Sequence, residues 1–186
     1  MSLAGSVGDL GGDRRVMSGL LAQFTQEHRF DCHGGRTIRT VYTNEISVVD
    51  TWIQESEAYM RAYELVFIGI DLEYTPSHDS AIVIQLCDDS SYLVYQVFQS
   101  PRVSTSLRKF LLKEQYTFIG LSIWRDKELL ELLGLRVTNY KDIQAEWAVP
   151  DASNKPLNSL REVSGLIIDE FYDKMKNLFD KEYHQH

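Results

Sequence analysis

Leu65-Val66-Phe67-Ile68-Gly69-Ile70-Asp71-Leu72-Glu73-Tyr74 is the stretch on which the reading of this chain turns. It is rich in β-branched and aromatic residues and too apolar for a strand with one wet face, so it is expected to be a central strand. Asp71 and Glu73 are two residues apart within it, and the period of two in a strand aims both carboxylates at one face. Two like charges at close range on a buried strand raise each other's pKa unless hydrogen-bond donors or a cation compensate, and a divalent metal does so most directly. Hard carboxylate oxygens suit Mg²⁺ or Mn²⁺. The same spacing also fits two acids that reach solvent where a strand ends, so on residue type alone both readings stand.

Working outward, Ala81-Ile-Val-Ile-Gln-Leu86 and Tyr92-Leu-Val-Tyr-Gln-Val97 read as strands split by the turn-forming Asp88-Asp-Ser-Ser91, which makes a meander with the central strand. Upstream, His28 to Cys32 and Thr37 to Tyr42 alternate around Gly34-Gly35, a hairpin signal. From about Glu45 to Ala62 the apolar residues recur at helical spacing, with Asn44 available as N-cap. Downstream come a helix from about Ser104 to Leu112, a strand from Thr117 to Ile123 and a helix from Arg125 to Leu133 stopped by Gly134. Further helices are expected from Leu157 to about Gly165 and from Ile167 to Phe179. Asp126 lies just after the strand at 117–123; its ordinary role would be a first-turn acid favoured by the helix dipole, worth about 0.3 to 1 kcal/mol. The pattern is α/β, a mixed sheet with helices packed on it.

With 186 residues, of which 44% are hydrophobic and 25% charged, the chain fits one folded domain. Residues 1–21, with Gly5, Gly8, Gly11 and Gly12, are expected to be a flexible leader, and residues 22–186 the domain. No apolar run approaches the roughly 20 residues that cross a bilayer, and the N-terminus lacks a secretory h-region. An intracellular protein of the nucleus or cytoplasm, with no membrane partner, is expected. Cys32 and Cys87 then read as reduced thiols, and no Cys/His pair has zinc-finger spacing. A net charge of -8 argues against gripping nucleic acid by charge alone. A nuclease that holds cations nevertheless carries part of its positive field in the metal.

These residues also carry a resemblance. Phe67-Ile-Gly-Ile-Asp-Leu-Glu-Tyr74 followed by Ala81-Ile-Val-Ile-Gln-Leu-Cys87 resembles the first motif of the Werner-type 3′-5′ exonuclease domains, members of the DEDD family in the ribonuclease-H-like superfamily. Phe118-Ile-Gly-Leu-Ser-Ile-Trp-Arg-Asp126 is similar to the second motif. Leu157-Asn-Ser-Leu160 is similar to the family's LNSL helix, and Asp142 sits where the family often has a further aspartate. The opening hairpin and the helix around Val48 to Trp52 look like those of compact plant homologues. The resemblance spans about residues 28–165. It implies a ribonuclease-H-like mixed β-sheet flanked by helices, and two-metal hydrolysis of DNA or RNA from a 3′ end with Mg²⁺ or Mn²⁺. On this resemblance Asp71, Glu73 and Asp126 are the catalytic, metal-binding carboxylates: Asp71 bridges both cations, Glu73 serves the water-activating one and Asp126 the second. Leu72 and Tyr74, which flank the pair, are the candidates for contact with the terminal nucleotide.

In the complete family a fourth carboxylate comes late, in a Tyr-x-x-x-Asp arrangement. Here Tyr172 is followed four positions on by Lys176, Tyr183 is close to the end, and Asp169, Asp173 and Asp180 fit the wet face of an amphipathic helix. The domain is therefore expected to be C-terminally incomplete, with a two-metal site short of one ligand and activity weak or lost. Apolar surface left uncovered would invite self-association or a helicase-type partner. Two functional readings result: a 3′-5′ exonuclease-family protein, and a non-catalytic nucleic-acid or protein-binding module of the same fold.

Overall fold

The computed structural model of the protein describes residues 22–74, 81–121, 123–147 and 160–168. The leader at 1–21, the segment 157–159 and the helix expected beyond Ile168 lie outside these residues. Gly34 and Gly35 take φ of 74° and 72°, a region closed to most side chains, and the chain reverses there in a single turn of 3₁₀ helix, His33–Gly35. Strands β1 (Thr25–Cys32) and β2 (Arg36–Thr43) consequently pair antiparallel along their whole length.

Helix α1 (Ile46–Ala62) follows, burying Val49, Trp52, Ile53, Ser56 and Met60 along one stripe. Its N-cap is Glu45, with no side-chain cap bond, so the expected capping by Asn44 does not occur. Asn44 is instead buried, its Oδ1 accepting from the Phe24 amide and its Nδ2 donating to the Ala22 carbonyl, each at 3.0 Å. The side chain is spent on fastening the chain that enters β1.

Strands β3 (Phe67–Tyr74), β4 (Ala81–Cys87) and β5 (Ser91–Tyr95) form the expected antiparallel meander. β5 pairs parallel with β2. Helix α2 (Thr105–Leu111) starts at Ser104, whose Oγ accepts from the Leu107 amide at 3.0 Å and donates to Asp50 Oδ1 at 2.6 Å. Ser104→Ala removes the cap and leaves Asp50 without that donor; it is expected to cost about 1 to 2 kcal/mol, read as a lower urea midpoint at unchanged m-value.

Strand β6 (Thr117–Gly120) is shorter than expected and ends at Gly120, where the backbone lies close to Ile70 and Ile123. Helix α3 (Trp124–Leu132) ends as anticipated, with Gly134 at φ 68° and its amide on the Glu131 carbonyl at 2.8 Å. Strand β7 (Tyr140–Asp142) and helix α4 (Ile143–Trp147) were not expected; three residues carry too little alternation to announce a strand. Helix α5 (Leu160–Ile167) continues to a bond from the Ile168 amide to the Ser164 carbonyl. Ile167 is the last residue of α5.

The seven strands form one mixed sheet in the order β1-β2-β5-β4-β3-β6-β7. Ile68, Ile70 and Leu72 of β3 share a core with Ile84, Leu86, Leu93 and Phe118 of the neighbouring strands and with Trp52, Phe110 and Leu129 of α1, α2 and α3. β3 is internal, as expected for a central strand, but among the described residues only one of its faces is covered: Phe67 is 59% exposed, and Asp71 and Glu73 are exposed on the same side. Cys32 and Cys87 are free thiols. No described helix is long and apolar enough to cross a membrane.

Candidate metal centre

β3, β6 and β7 run parallel to one another, so the chain leaves all three at the same edge of the sheet. Asp71 and Glu73 lie in the last half of β3, Asp126 in the first turn of α3 just after β6, and Asp142 at the end of β7 opposite Gly120. The carboxyl ends of parallel strands are where sites gather in sheets of this kind, since successive loops there can each present a residue. The topology thus puts the three acids singled out in the sequence, and the further aspartate Asp142, at one edge of the sheet.

The acids feel one another. Burial raises the Asp71 carboxyl above its ordinary value, and the charge of Glu73 raises it further. Asp126 is only 7% exposed; burial, then Asp71, Glu73 and Asp142 in turn, push its carboxyl up to about 7. Among the described residues no ion pair joins Asp71, Glu73 or Asp126 to a basic side chain. The nearby cations are engaged elsewhere: Arg125 holds Glu128 at 2.7 Å and stands 6.0 Å from the Tyr74 ring centre, and Lys127 Nζ lies 5.3 Å from the centre of the Tyr140 ring.

One polar relay reaches the pair. Gln85 faces Asp71 across the β3–β4 ladder, and its Nε2 lies 3.3 Å from Glu73 Oε1 and 3.5 Å from Asp71 Oδ2. The Tyr92 hydroxyl donates to Gln85 Oε1, which fixes the amide with its NH₂ toward the acids. Burial, followed by the charge of Asp71, raises the Tyr92 phenol, so it stays a donor at any ordinary pH.

Carboxylate oxygens of this kind suit a hard divalent cation, and the Asp71 and Asp126 carboxyls are raised first by burial and then by the charges of their acidic neighbours. Among the described residues no three Asp, Glu, His or Cys side chains are grouped so that they could hold a metal ion. Asp142 is engaged with the backbone: its Oδ2 accepts from the Ile123 amide at 3.2 Å and its Oδ1 from the Gln144 amide at 2.9 Å. It braces the turn from which α3 and Asp126 spring. Of the flanking residues, Leu72 is 4% exposed in the core on the opposite face of β3, whereas Tyr74 is 43% exposed beside Glu73. The sequence singled out neither Gln85 nor Tyr92; once the meander's register is known, both fall on the face of Asp71.

The mixed sheet with its helices matches the ribonuclease-H-like exonuclease fold of its structural neighbours. The chain is similar to solved EXD2 exonuclease domains. One, soaked in Mn and GMP, matches with a TM-score of 0.51 and 16% identity over 57% of this chain and 56% of that one. Another, soaked in Mg, matches with a TM-score of 0.51 and 15% identity, 57% of each chain being covered. The chain thus spans little more than half the length of those domains. Identities this low bear on the fold. No family model matches the chain, and no curated protein matches it.

Proposed function

We propose that the protein is a divalent-cation-dependent 3′-5′ exonuclease of the Werner type that removes nucleotides from the 3′ end of DNA or RNA. What supports this reading is that Asp71 and Glu73 on β3 and Asp126 just after the parallel β6 lie near enough for the charges of the first two to act on the third. Mg²⁺ or Mn²⁺ held by these three would supply the charge stabilisation that phosphodiester hydrolysis requires. Gln85, steadied by Tyr92, keeps the Asp71 and Glu73 carboxylates turned to the open face. Tyr74, 43% exposed beside Glu73, offers an aromatic surface on which a terminal base can stack. Nucleotide soaking of an EXD2 domain is in keeping with such a ligand.

The test is a 5′-labelled single-stranded oligonucleotide incubated with the protein and Mn²⁺. A ladder of products shortened from the 3′ end is expected, lost on chelation and lost in Asp71→Ala. An uncut oligonucleotide at saturating Mn²⁺, or an Asp71→Ala protein as active as the parent, overturns the proposal.

A further inference from the structure

Tyr140 stands on β7 opposite Phe118. Its hydroxyl is buried and finds no hydrogen-bond partner. The position of that hydroxyl is fixed by what surrounds Gly120: a β-carbon placed there would lie 3.3 Å from Tyr140 Oη and 2.8 Å from the Ile70 carbonyl oxygen. The phenol therefore ends over Gly120, beside the backbone that leads into Asp71. Lys127, one residue after Asp126, covers its ring. The charges that act on it are Asp126 first, then Asp71 and Asp142.

An unpaired buried hydroxyl costs about 1 to 3 kcal/mol, and folded proteins keep few of them. Among the described residues nothing donates a hydrogen bond to Asp126, the foremost of the charges that act on this phenol, and Lys127, which covers the Tyr140 ring, follows Asp126 directly on α3. The opposite flank of the site shows a tyrosine already engaged, with Tyr92 holding Gln85 and Gln85 reaching Asp71 and Glu73. Residues that hydrogen-bond a ligating carboxylate set its orientation, and their loss typically lowers metal affinity by about 10- to 100-fold.

We propose that Tyr140 is a positioning residue of the carboxylate site: its hydroxyl donates to Asp126, directly or through one water, when the site holds a cation, and so fixes the orientation of that acid. This rests on the reading of the site as a cation centre. Tyr140→Phe keeps the ring beneath Lys127 and removes only the hydroxyl. A purely structural hydroxyl and a positioning one then part company. Without cations the variant is expected to be no less stable than the parent, since an unpaired polar group has gone. Its affinity for Mn²⁺, read by electron paramagnetic resonance without nucleic acid, is expected to fall about tenfold. In the parent carrying ¹³C-labelled tyrosine, Mg²⁺ is expected to shift the Tyr140 Cζ resonance, a shift absent in Asp126→Asn. A Tyr140→Phe protein that binds Mn²⁺ as tightly as the parent, or a Tyr140 Cζ signal unmoved while Mg²⁺ binds, overturns the proposal. A parent that binds no Mn²⁺ overturns the cation reading itself and this proposal with it, and the two failures are thereby told apart.

Discussion

Asp126→Asn is expected to make the cation-free protein more stable above neutral pH while removing the stabilisation that Mg²⁺ gives the parent. The Asp126 carboxyl is raised from 3.8 to about 7 by burial and by Asp71, Glu73 and Asp142. Between those two values the folded protein holds a proton that the unfolded chain has released. Stability therefore falls as pH rises through that window, and the loss is complete above about pH 7. Allowing for solvent screening, the group's contribution is roughly 2 kcal/mol. Asparagine carries no charge at any pH, so the variant escapes the loss. Chemical denaturation with a chelator at about pH 5 and about pH 8 is expected to show the parent weakening and the variant holding level. Mg²⁺ reverses the order: at a concentration 100 times its dissociation constant a cation bound only by the folded state adds about 2.7 kcal/mol, and the variant forgoes most of it. A parent whose stability does not fall over that pH range would show that Asp126 is not crowded by the other acids.

Gly120→Ala is the substitution expected to do the most harm to the fold. A β-carbon there would lie 2.6 Å from Ile123 Cγ2, 2.8 Å from the Ile70 carbonyl oxygen and 3.3 Å from Tyr140 Oη. The isoleucine methyl can swing aside. The carbonyl cannot, because Ile70 is fixed by the β3–β4 ladder through its pairing with Leu86. Relief must come from parting β3 and β6 near the Gly69–Ile119 pair, at about 3 kcal/mol, the upper end of what overpacking usually costs. Asp71 follows Ile70 directly, so the same movement displaces a ligand, and Mn²⁺ affinity is expected to fall along with the urea midpoint. Gly69→Ala is the control: its β-carbon would meet nothing nearer than Cys87 Cβ at 3.5 Å, an ordinary contact, and the change is expected to stay within about 0.5 kcal/mol. Equal losses in the two variants would show that strand glycine in general, rather than the close approach at Gly120, is responsible.

The strand at 65–74 was legible because its cues are local: an apolar run for an interior strand, and a spacing of two for acids on one face. Its second face was misjudged for the same reason. A run of apolar residues does not say which neighbours arrive, and here Phe67 and Gly69 lie on the open side with the acids. Asp126 could be placed from its position after a strand and from motif resemblance, but its burial and its coupling to Asp71 depend on β6 lying beside β3. Asn44 had the right residue type for a cap and the right position, yet a partner 20 residues away, the Phe24 amide, claimed its side chain. Gln85, Tyr92 and Tyr140 belong to the site through register across three different strand pairs, and register is what a single sequence states least.

The central claim is that Asp71, Glu73 and Asp126 are a place for a divalent cation. Anomalous scattering from crystals of the protein soaked in Mn²⁺ tests it most directly. A peak within ligating distance of Asp71 and of at least one of Glu73 and Asp126 is the result this account predicts, and an Asp71→Asn crystal treated identically should lose it. Saturating Mn²⁺ that leaves no peak between those carboxylates, or that places its peak elsewhere on the protein, would contradict it.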